Sequence, residues 1–208
     1  MITLQRITDP ARLDEYHRFR HRIYCNSDKA GYLDRDSGYD RDAYDVNSIH
    51  LGWYVDGVLR GCVRFIRPID APLPLYCLTH MPVQPASCVL QLLDGYEQQG
   101  LPFVEVSRIC IDPAYRDLAT VKDFVLATMA MSHVLGLDQA VFTCDRPHAA
   151  FWLRMGFTKL AGAERFFCTA RKQIENCTLV YRHADLPLAI REKLPAREAL
   201  IHHEQHAA

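Results

Sequence analysis

The chain has 208 residues, 49% hydrophobic and 24% charged. That is an ordinary soluble composition, long enough to bury a sizeable core. A formal net charge of −1 gives no global argument for nucleic acid or an anionic membrane as partner. No apolar run reaches spanning length, because charges or prolines interrupt each one, so stable membrane insertion is not expected. The first residues lack the basic-then-apolar order of a signal peptide, and the expected location is cytoplasmic. Eight cysteines are scattered without a C-x-x-C pair, which reads as free thiols in a reducing compartment. Cys77-Leu-Thr-His80 has zinc-like spacing but no second pair, so no metal site is expected.

Residues 9–25 read as a helix. Asp9 can cap it, Pro10 suits its first turn, and Leu13, Tyr16, His17 and Arg20 share a face. Residues 26–48 read as a long acidic loop holding Asp34, Asp36, Asp40, Asp42 and Asp45. Loops of that length in a compact domain are usually functional or disordered. Asp34-x-Asp36-x-Gly38-x-Asp40 hints at calcium, but the order departs from the calcium-loop template, which has Gly at its sixth place and Glu at its twelfth. Ile49–Val55 and Val58–Ile66 read as strands of a hairpin turned by Asp56-Gly57. Five prolines make 67–85 a connecting loop, followed by a short helix over Ser87–Glu97.

Val104–Ile111 reads as a buried strand that carries Glu105, Ser107 and Arg108 inside an apolar run. An unpaired buried charge costs far more than a packing fault, so these groups mark a site where charge is used. After Asp112-Pro113, residues 118–135 read as a long amphipathic helix closed by Gly136. Ala140–Thr143 is an expected strand, His148–Met155 a helix stopped by Gly156, Phe157–Lys159 a strand, and Cys177–Tyr181 the last strand. The organisation is one mixed α/β domain over residues 1–195, a twisted sheet flanked by helices, with a polar tail over 196–208.

Three segments resemble acyl-homoserine-lactone (autoinducer) synthases and N-acyl amino acid synthases of the GNAT acyltransferase fold, with exosortase-associated relatives. Arg20-His-Arg-Ile-Tyr24 is similar to Arg-x-x-Val-Phe. Asp40-x-Asp42-x-Tyr44-Asp45 is similar to Glu-x-Asp-x-Tyr-Asp, and Glu105-Val-Ser-Arg108 to Glu-x-Ser-Arg. Arg64 falls where the family has an arginine on a strand, and Pro147–Phe157 resembles the GNAT helix that ends in Gly-Phe. There are two departures. Ala30-Gly-Tyr-Leu33 stands where autoinducer synthases carry Leu-Gly-Trp, which weakens S-adenosylmethionine as acceptor. Tyr115-Arg-Asp-Leu-Ala-Thr120 stands where other GNAT enzymes carry a Gly-rich pyrophosphate loop, which favours an acyl-carrier-protein thioester over acyl-coenzyme A as donor.

The resemblance implies a GNAT-like sheet with a splayed central strand pair and a fatty N-acyltransferase working on a small amine. An amino acid is the first choice of acceptor. Alternatives are a homoserine-lactone synthase using S-adenosylmethionine, an exosortase-associated role, and a non-catalytic acyl-carrier or lipid-binding module. No tightly bound cofactor is implied. Glu105, Ser107 and Arg108 are the candidate catalytic residues. Glu105 could act as base through a water, its pKa raised by burial, or it could be tied in a salt bridge to Arg64 or Arg108. Strict alternation would point Glu105 and Arg108 apart, so a bulge or splay is expected over 106–109. The family pattern implies one ion network of Arg20, Asp40, Asp42, Asp45, Arg64 and Arg108 at the acceptor pocket, with Tyr24 beside it. Phe103, Phe142 and Trp152 are candidates to line an acyl slot, or to be plain core. The basic residues of the second half, from Arg116 and Lys122 to Arg171 and Lys172, could dock an acidic carrier protein. Trp152 stands where GNAT enzymes often place a tyrosine acid, and no general acid is evident.

Overall fold

The computed structural model describes residues 1–27, 33, 35–67, 75–169 and 171–202. The Ala30-Gly31-Tyr32 stretch, Asp34, the prolines at 68, 72 and 74, the side chains of Arg171 and Lys172, and the tail beyond His202 lie outside the described residues. In chain order the elements are β1 (Ile2–Ile7), α1 (Pro10–Cys25), a 3-10 turn (Ala43–Asn47), β2 (Ser48–Val55), β3 (Val58–Ile66), α2 (Tyr76–Thr79) and α3 (Val83–Gln98). There follow β4 (Phe103–Ile111), α4 (Leu118–Val134), β5 (Gln139–Asp145), α5 (Ala149–Arg154), β6 (Thr158–Lys159), β7 (Phe166–Cys168) and β8 (Arg171–Arg182). Last come α6 (Leu188–Arg191), α7 (Pro195–Glu198) and β9 (Ile201–His202). Among the described residues no helix is long and apolar enough to cross a membrane.

The chain divides into two compact units, and β4 contributes to both. The first comprises Met1–Phe65, Arg108–Met131 and Leu194–Ala208. Its strands run β9-β1-β2-β3-β4. β1 pairs antiparallel with β2 from Ile2↔Val55 to Ile7↔His50, and β9 lies parallel to β1. The hairpin forms as its sequence predicts. Asp56 and Gly57 take φ of 49° and 77°, the double positive φ that a two-residue primed turn requires. α1 begins as expected, with the Asp9 carboxylate accepting the Arg12 N–H at 2.9 Å and Pro10 in the first turn. Its inner face buries Tyr16, Phe19 and Ile23 with Ile7, Leu59, Cys62 and Cys110.

The second unit comprises Ile66–Ser107 and Ser132–Lys193. β5 and β8 pair antiparallel from Gln139↔Arg182 to Asp145↔Asn176, with β6 and β7 both on β8. β4 pairs parallel with β5 at Phe103↔Gln139, Val104↔Ala140 and Glu105↔Val141, and the pairing ends there. This is the splayed strand pair. Three residues on, Arg108 takes φ +53°, in the left-handed region that a non-glycine residue rarely adopts. The irregularity expected over 106–109 is thus present, as an ended ladder and a left-handed residue.

Several elements differ from their sequence prediction. β1 was not anticipated, although Ile2 and Leu4 alternate with Thr3 and Gln5. α3 starts at Val83 rather than Ser87 and takes in Pro85, since a proline in the first turn removes only an N–H that had no helical partner. α2 interrupts the proline loop. β8 extends back to Arg171, well before the expected Cys177. α4 is not amphipathic along its length: every residue from Phe124 to Ser132 is buried, which marks a helix enclosed on all sides there.

Candidate active site

The acidic segment folds around two of its own carboxylates. Asp42 caps the 3-10 turn by accepting the Tyr44 N–H on Oδ1 at 2.9 Å. Asp45 reaches back to accept the Asp42 N–H on Oδ2 at 2.7 Å. This reciprocal box satisfies two backbone donors that the turn leaves open, and it fixes both side chains while leaving lone pairs for other partners.

Those lone pairs meet three arginines. The Arg20 Nε donates to Asp40 Oδ2 at 2.9 Å and its Nη1 to Asp45 Oδ1 at 2.8 Å. Arg64 Nη1 donates to Asp45 Oδ1 at 3.0 Å and to Asp42 Oδ1 at 2.6 Å. Arg108 Nε donates to Asp40 Oδ2 at 3.0 Å, and its Nη2 to Asp42 Oδ2 at 3.4 Å. Followed around, the contacts close into a ring: Arg20, Asp40, Arg108, Asp42, Arg64, Asp45 and back to Arg20. Each charge has an opposite charge on both sides, and the ring is formally neutral. Burying ions costs several kcal/mol apiece unless geometry and hydrogen bonds offset it, and alternation offsets it at every member. α1 supplies Arg20, the turn and its approach supply the aspartates, β3 supplies Arg64 and β4 supplies Arg108.

The ring is buried unevenly. The side chains of Arg20 and Arg64 are 0% exposed and those of Asp40 and Asp45 2%, whereas Asp42 is 25% exposed and Arg108 10%. The longest contact in the ring is also the most open one, Arg108 to Asp42. Burial by itself would raise the Asp40 carboxyl, but the Arg20 and Arg108 guanidiniums prevail and hold it below its ordinary range. Asp45 follows the same pattern: burial opposes ionisation, and His17, Arg20 and Arg64 outweigh it.

Two residues that sequence reasoning gave no role stand beside Asp45. His17 Nε2 lies 3.8 Å from Asp45 Oδ1, and His50 Nε2 lies 3.2 Å from the Asp45 carbonyl oxygen. Both rings are buried, packed edge to face at 5.5 Å. Burial pulls the His50 pKa down to about 4, so it is neutral near pH 7. His17 was legible on the inner face of α1 with Tyr16 and Arg20; nothing local marks His50. Tyr24 sits with its ring centroid 5.7 Å from the Arg108 guanidinium carbon, and its hydroxyl donates to the Ile109 carbonyl at 3.4 Å.

Glu105 is 2% exposed. Its Oε1 accepts the backbone N–H of Cys77, the second residue of α2, at 3.0 Å. Arg64 and Arg108, the two arginines considered as its salt-bridge partners, both engage the aspartates of the ring. Ser107 is half-buried. The aromatic candidates are packed on neighbours. Phe103 faces Tyr96 at 6.0 Å. Phe142 lies 4.8 Å from Trp152 and 5.2 Å from Phe157, and Trp152 lies 5.3 Å from Phe157. Phe142 is the first residue of β5 after its pairing with β4 ends.

The family model for N-acyl amino acid synthase FeeM matches residues 15–176. No curated protein matches. Among solved structures, the coenzyme A-dependent acyl-homoserine lactone synthase BjaI, determined with SAM and isopentyl-CoA, is similar at TM-score 0.71 and 14% identity. The match covers 100% of this chain and 96% of that one. FeeM, an N-acyl amino acid synthase from uncultured soil microbes, is similar at TM-score 0.58 and 16% identity, covering 91% of this chain and 97% of that one. The acyl-homoserine lactone synthase MesI, also coenzyme A-dependent, is similar at TM-score 0.65 and 16% identity, covering 95% of this chain and 98% of that one. At these identities the structural likenesses establish the fold.

Proposed function

This chain belongs to the N-acyl amino acid synthase FeeM family, and from that membership we propose that it moves a fatty acyl group from an acyl-carrier-protein thioester to the amine of an amino acid. Acyl transfer to an amine is the activity of the family. The acceptor and the donor are the finer reading.

The observation that carries the acceptor is the open side of the ion ring. Asp42 is its one substantially exposed carboxylate, and its link to Arg108 is the longest at 3.4 Å. A free amino acid carries an ammonium and a carboxylate, which match Asp42 and Arg108 respectively, and a weak internal link is the one most readily exchanged for substrate. The rest of the ring then serves as a rigid, neutral base for that pair. The attacking amine must be neutral, and Glu105 takes its proton through a water. The tetrahedral oxyanion needs hydrogen-bond donors, for which the backbone N–H groups of β4 beyond Glu105, freed of β5, are the candidates. The thiolate is a good leaving group, and no covalent enzyme intermediate is needed.

The donor reading rests on the start of α4. A helix N-terminus binds an anion through its free N–H groups. Here Asp117 already occupies that end, accepting the Thr120 N–H at 3.0 Å and the Thr120 hydroxyl at 2.6 Å. Those Thr120 hydrogen bonds hold the Asp117 carboxyl below its ordinary range. A fixed negative charge there opposes a coenzyme A pyrophosphate, which favours a carrier-protein thioester.

The test is acyl transfer with matched acyl-carrier-protein and acyl-coenzyme A donors against a panel of amino acids and S-adenosylmethionine, with products identified by mass spectrometry. N-acyl amino acid formed faster from the carrier protein supports the proposal. Homoserine lactone as main product, or equal use of acyl-coenzyme A, removes the corresponding half. Binding of acyl-carrier protein without turnover would favour a non-catalytic module.

A further inference from the structure

Among the described residues two pairs of cysteines bring their sulfurs together, and neither enters the acyl-transfer chemistry. Cys62 and Cys110 lie 3.1 Å apart, sulfur to sulfur, and Cys144 and Cys177 lie 3.8 Å apart. We propose that Cys144 and Cys177 are a redox-active dithiol that a hydroperoxide oxidises to a disulfide, while the closer pair stays reduced. The sheet sets the geometry. Cys144 stands opposite Cys177 in the antiparallel β5–β8 ladder. Directly opposed residues of such a ladder have Cα atoms about 4.5–5.5 Å apart, within the span that a disulfide bridges without backbone movement. Their side chains leave the sheet on one face, so side-chain rotation closes the remaining gap.

The thiolate, not the thiol, attacks an oxidant, and the two pairs differ in how readily they form one. The Cys177 thiol lies below its ordinary range. The hydrogen bond with Cys144 stabilises its anion most, Lys159 and Arg146 add to that, and burial and Asp145 oppose it. The nearby Glu175 carboxylate is already held by Arg146 at 2.6 Å and by Arg165. Either sulfur of the pair can be the donor, so the anion can sit on either one. Cys144 is half-buried and Cys177 buried, so the oxidant meets Cys144. Cys62 is the reverse case. It is fully buried, and burial, then the contact with Cys110, pushes its thiol well above the ordinary range. The shorter contact is therefore the less reactive one.

In the first step the Cys144 thiolate attacks one peroxide oxygen. An S–O bond forms, the O–O bond breaks, and the displaced hydroxide or alkoxide takes a proton from solvent. Cys144 is then a sulfenic acid. In the second step Cys177 attacks the Cys144 sulfur. The S–S bond forms, the S–O bond breaks, and the hydroxide leaves as water with the Cys177 proton. The two thiols lose two electrons, and hydrogen peroxide becomes two waters. A buried resolving thiol needs no solvent access, because its target sulfur is its neighbour at 3.8 Å. Cys144 lies two residues beyond Phe142 on the same side of β5, so the disulfide ties β5 to β8 where β5 has left β4. A partly exposed disulfide is of the labile kind that thiols reduce again.

The test treats the reduced full chain with hydrogen peroxide at pH 7.5, blocks the remaining thiols with N-ethylmaleimide in denaturant, and maps unreduced peptides by mass spectrometry. A peptide linked through Cys144 and Cys177 should form about tenfold faster, or more, than any Cys62–Cys110 link, and dithiothreitol should remove it. C177S should stop at a dimedone-reactive sulfenic acid on Cys144, and C144S should leave Cys177 as a thiol. Far-ultraviolet circular dichroism checks that each variant is folded, and the wild-type map decides the proposal without them. A Cys62–Cys110 link that forms first, or Cys144 and Cys177 recovered as thiols after Cys25 or Cys88 has been oxidised, would overturn it. Oxidation of Cys177 in C144S at the wild-type rate would do the same.

Discussion

Replacing Arg20 with methionine tests whether the charge ring is a single electrostatic unit. Methionine restores most of the lost volume, so the effect is chiefly electrostatic. Arg20 is fully buried and holds Asp40 at 2.9 Å and Asp45 at 2.8 Å. Breaking a buried pair by removing one partner costs about 3–5 kcal/mol. Asp40 keeps Arg108 and Asp45 keeps Arg64, which places the expected loss near the lower end, about 3 kcal/mol. In a chain of this size that corresponds to roughly 6–12 °C of melting temperature. Neutralising the orphaned neighbour as well, in R20M/D40N, restores charge balance and leaves the chain Arg108, Asp42, Arg64, Asp45 intact. The double variant should therefore be no less stable than R20M, with a coupling of about 2 kcal/mol in a double-mutant cycle run by urea unfolding at pH 7. Because the ring is buried, the R20M penalty should be nearly the same in low salt and in 0.5 M sodium chloride, about a fivefold rise over ordinary ionic strength at which surface pairs are largely screened. An R20M loss under about 0.5 kcal/mol, or additive single variants, would refute the ring as a coupled unit.

Acidification should destabilise the fold through His50. Its folded pKa of about 4 lies below its unfolded value near 6.5, so the unfolded state binds the extra proton first. Stability is intact above pH 6.5 and falls by roughly 3 kcal/mol on the way to pH 4, and H50Q should flatten that slope; an unchanged slope would remove His50 as its source. Glu105→Gln keeps an oxygen for the Cys77 N–H, so its melting temperature should stay close to wild type while turnover falls about 10²–10⁴-fold; an active E105Q would exclude Glu105 as base. Arg108→Gly and Arg108→Ala remove the same ring contacts, but only glycine relaxes the +53° φ, so R108G should unfold at higher urea than R108A by about 1 kcal/mol. The reverse order would show that the left-handed backbone carries no strain.

Local patterns in the chain reached some of this architecture and not the rest, for identifiable reasons. Asp9-Pro10 and Asp56-Gly57 specify their structures within a few residues, and α1 and the β2–β3 hairpin follow from them. The members of the ring were legible as charges that a core would not keep without use, and a family pattern grouped them. Their alternating order was not, because it depends on ångström-scale contacts among segments up to 68 residues apart. The hydrogen bond that Glu105 accepts from Cys77 was out of reach for the same reason, since its donor is a backbone N–H 28 residues earlier. The first half of β8, Arg171-Lys-Gln-Ile-Glu-Asn176, is mostly polar and reads as loop; its strand state comes from pairing with β7, a tertiary gain that overrides local preference. α4 misled in the opposite sense, since an apolar helix buried on every side has no periodicity to read.

Exposure within the ring separates members that hold the fold from members available to substrate, and Asp42 against Asp45 makes that separation measurable. Both carboxylates bind Arg64, at 2.6 and 3.0 Å, and both serve the capping box. Asp45 is 2% exposed, and Asp45→Asn leaves Arg20 and Arg64 sharing a neutral amide in a dry site, with an expected loss of about 3–5 kcal/mol. Asp42 is 25% exposed. An asparagine there still caps the Tyr44 N–H, the buried Arg64 keeps Asp45 at 3.0 Å, and water can solvate what the more open Arg108 loses, so the expected stability change is about 1 kcal/mol. If Asp42 receives the ammonium of the acceptor, D42N should raise the acceptor KM by tenfold or more with the donor KM unchanged. A structural role alone would lower active-enzyme yield without moving the acceptor KM. D42N with wild-type acceptor KM would therefore place the acceptor elsewhere, while leaving the ring and its stability argument intact.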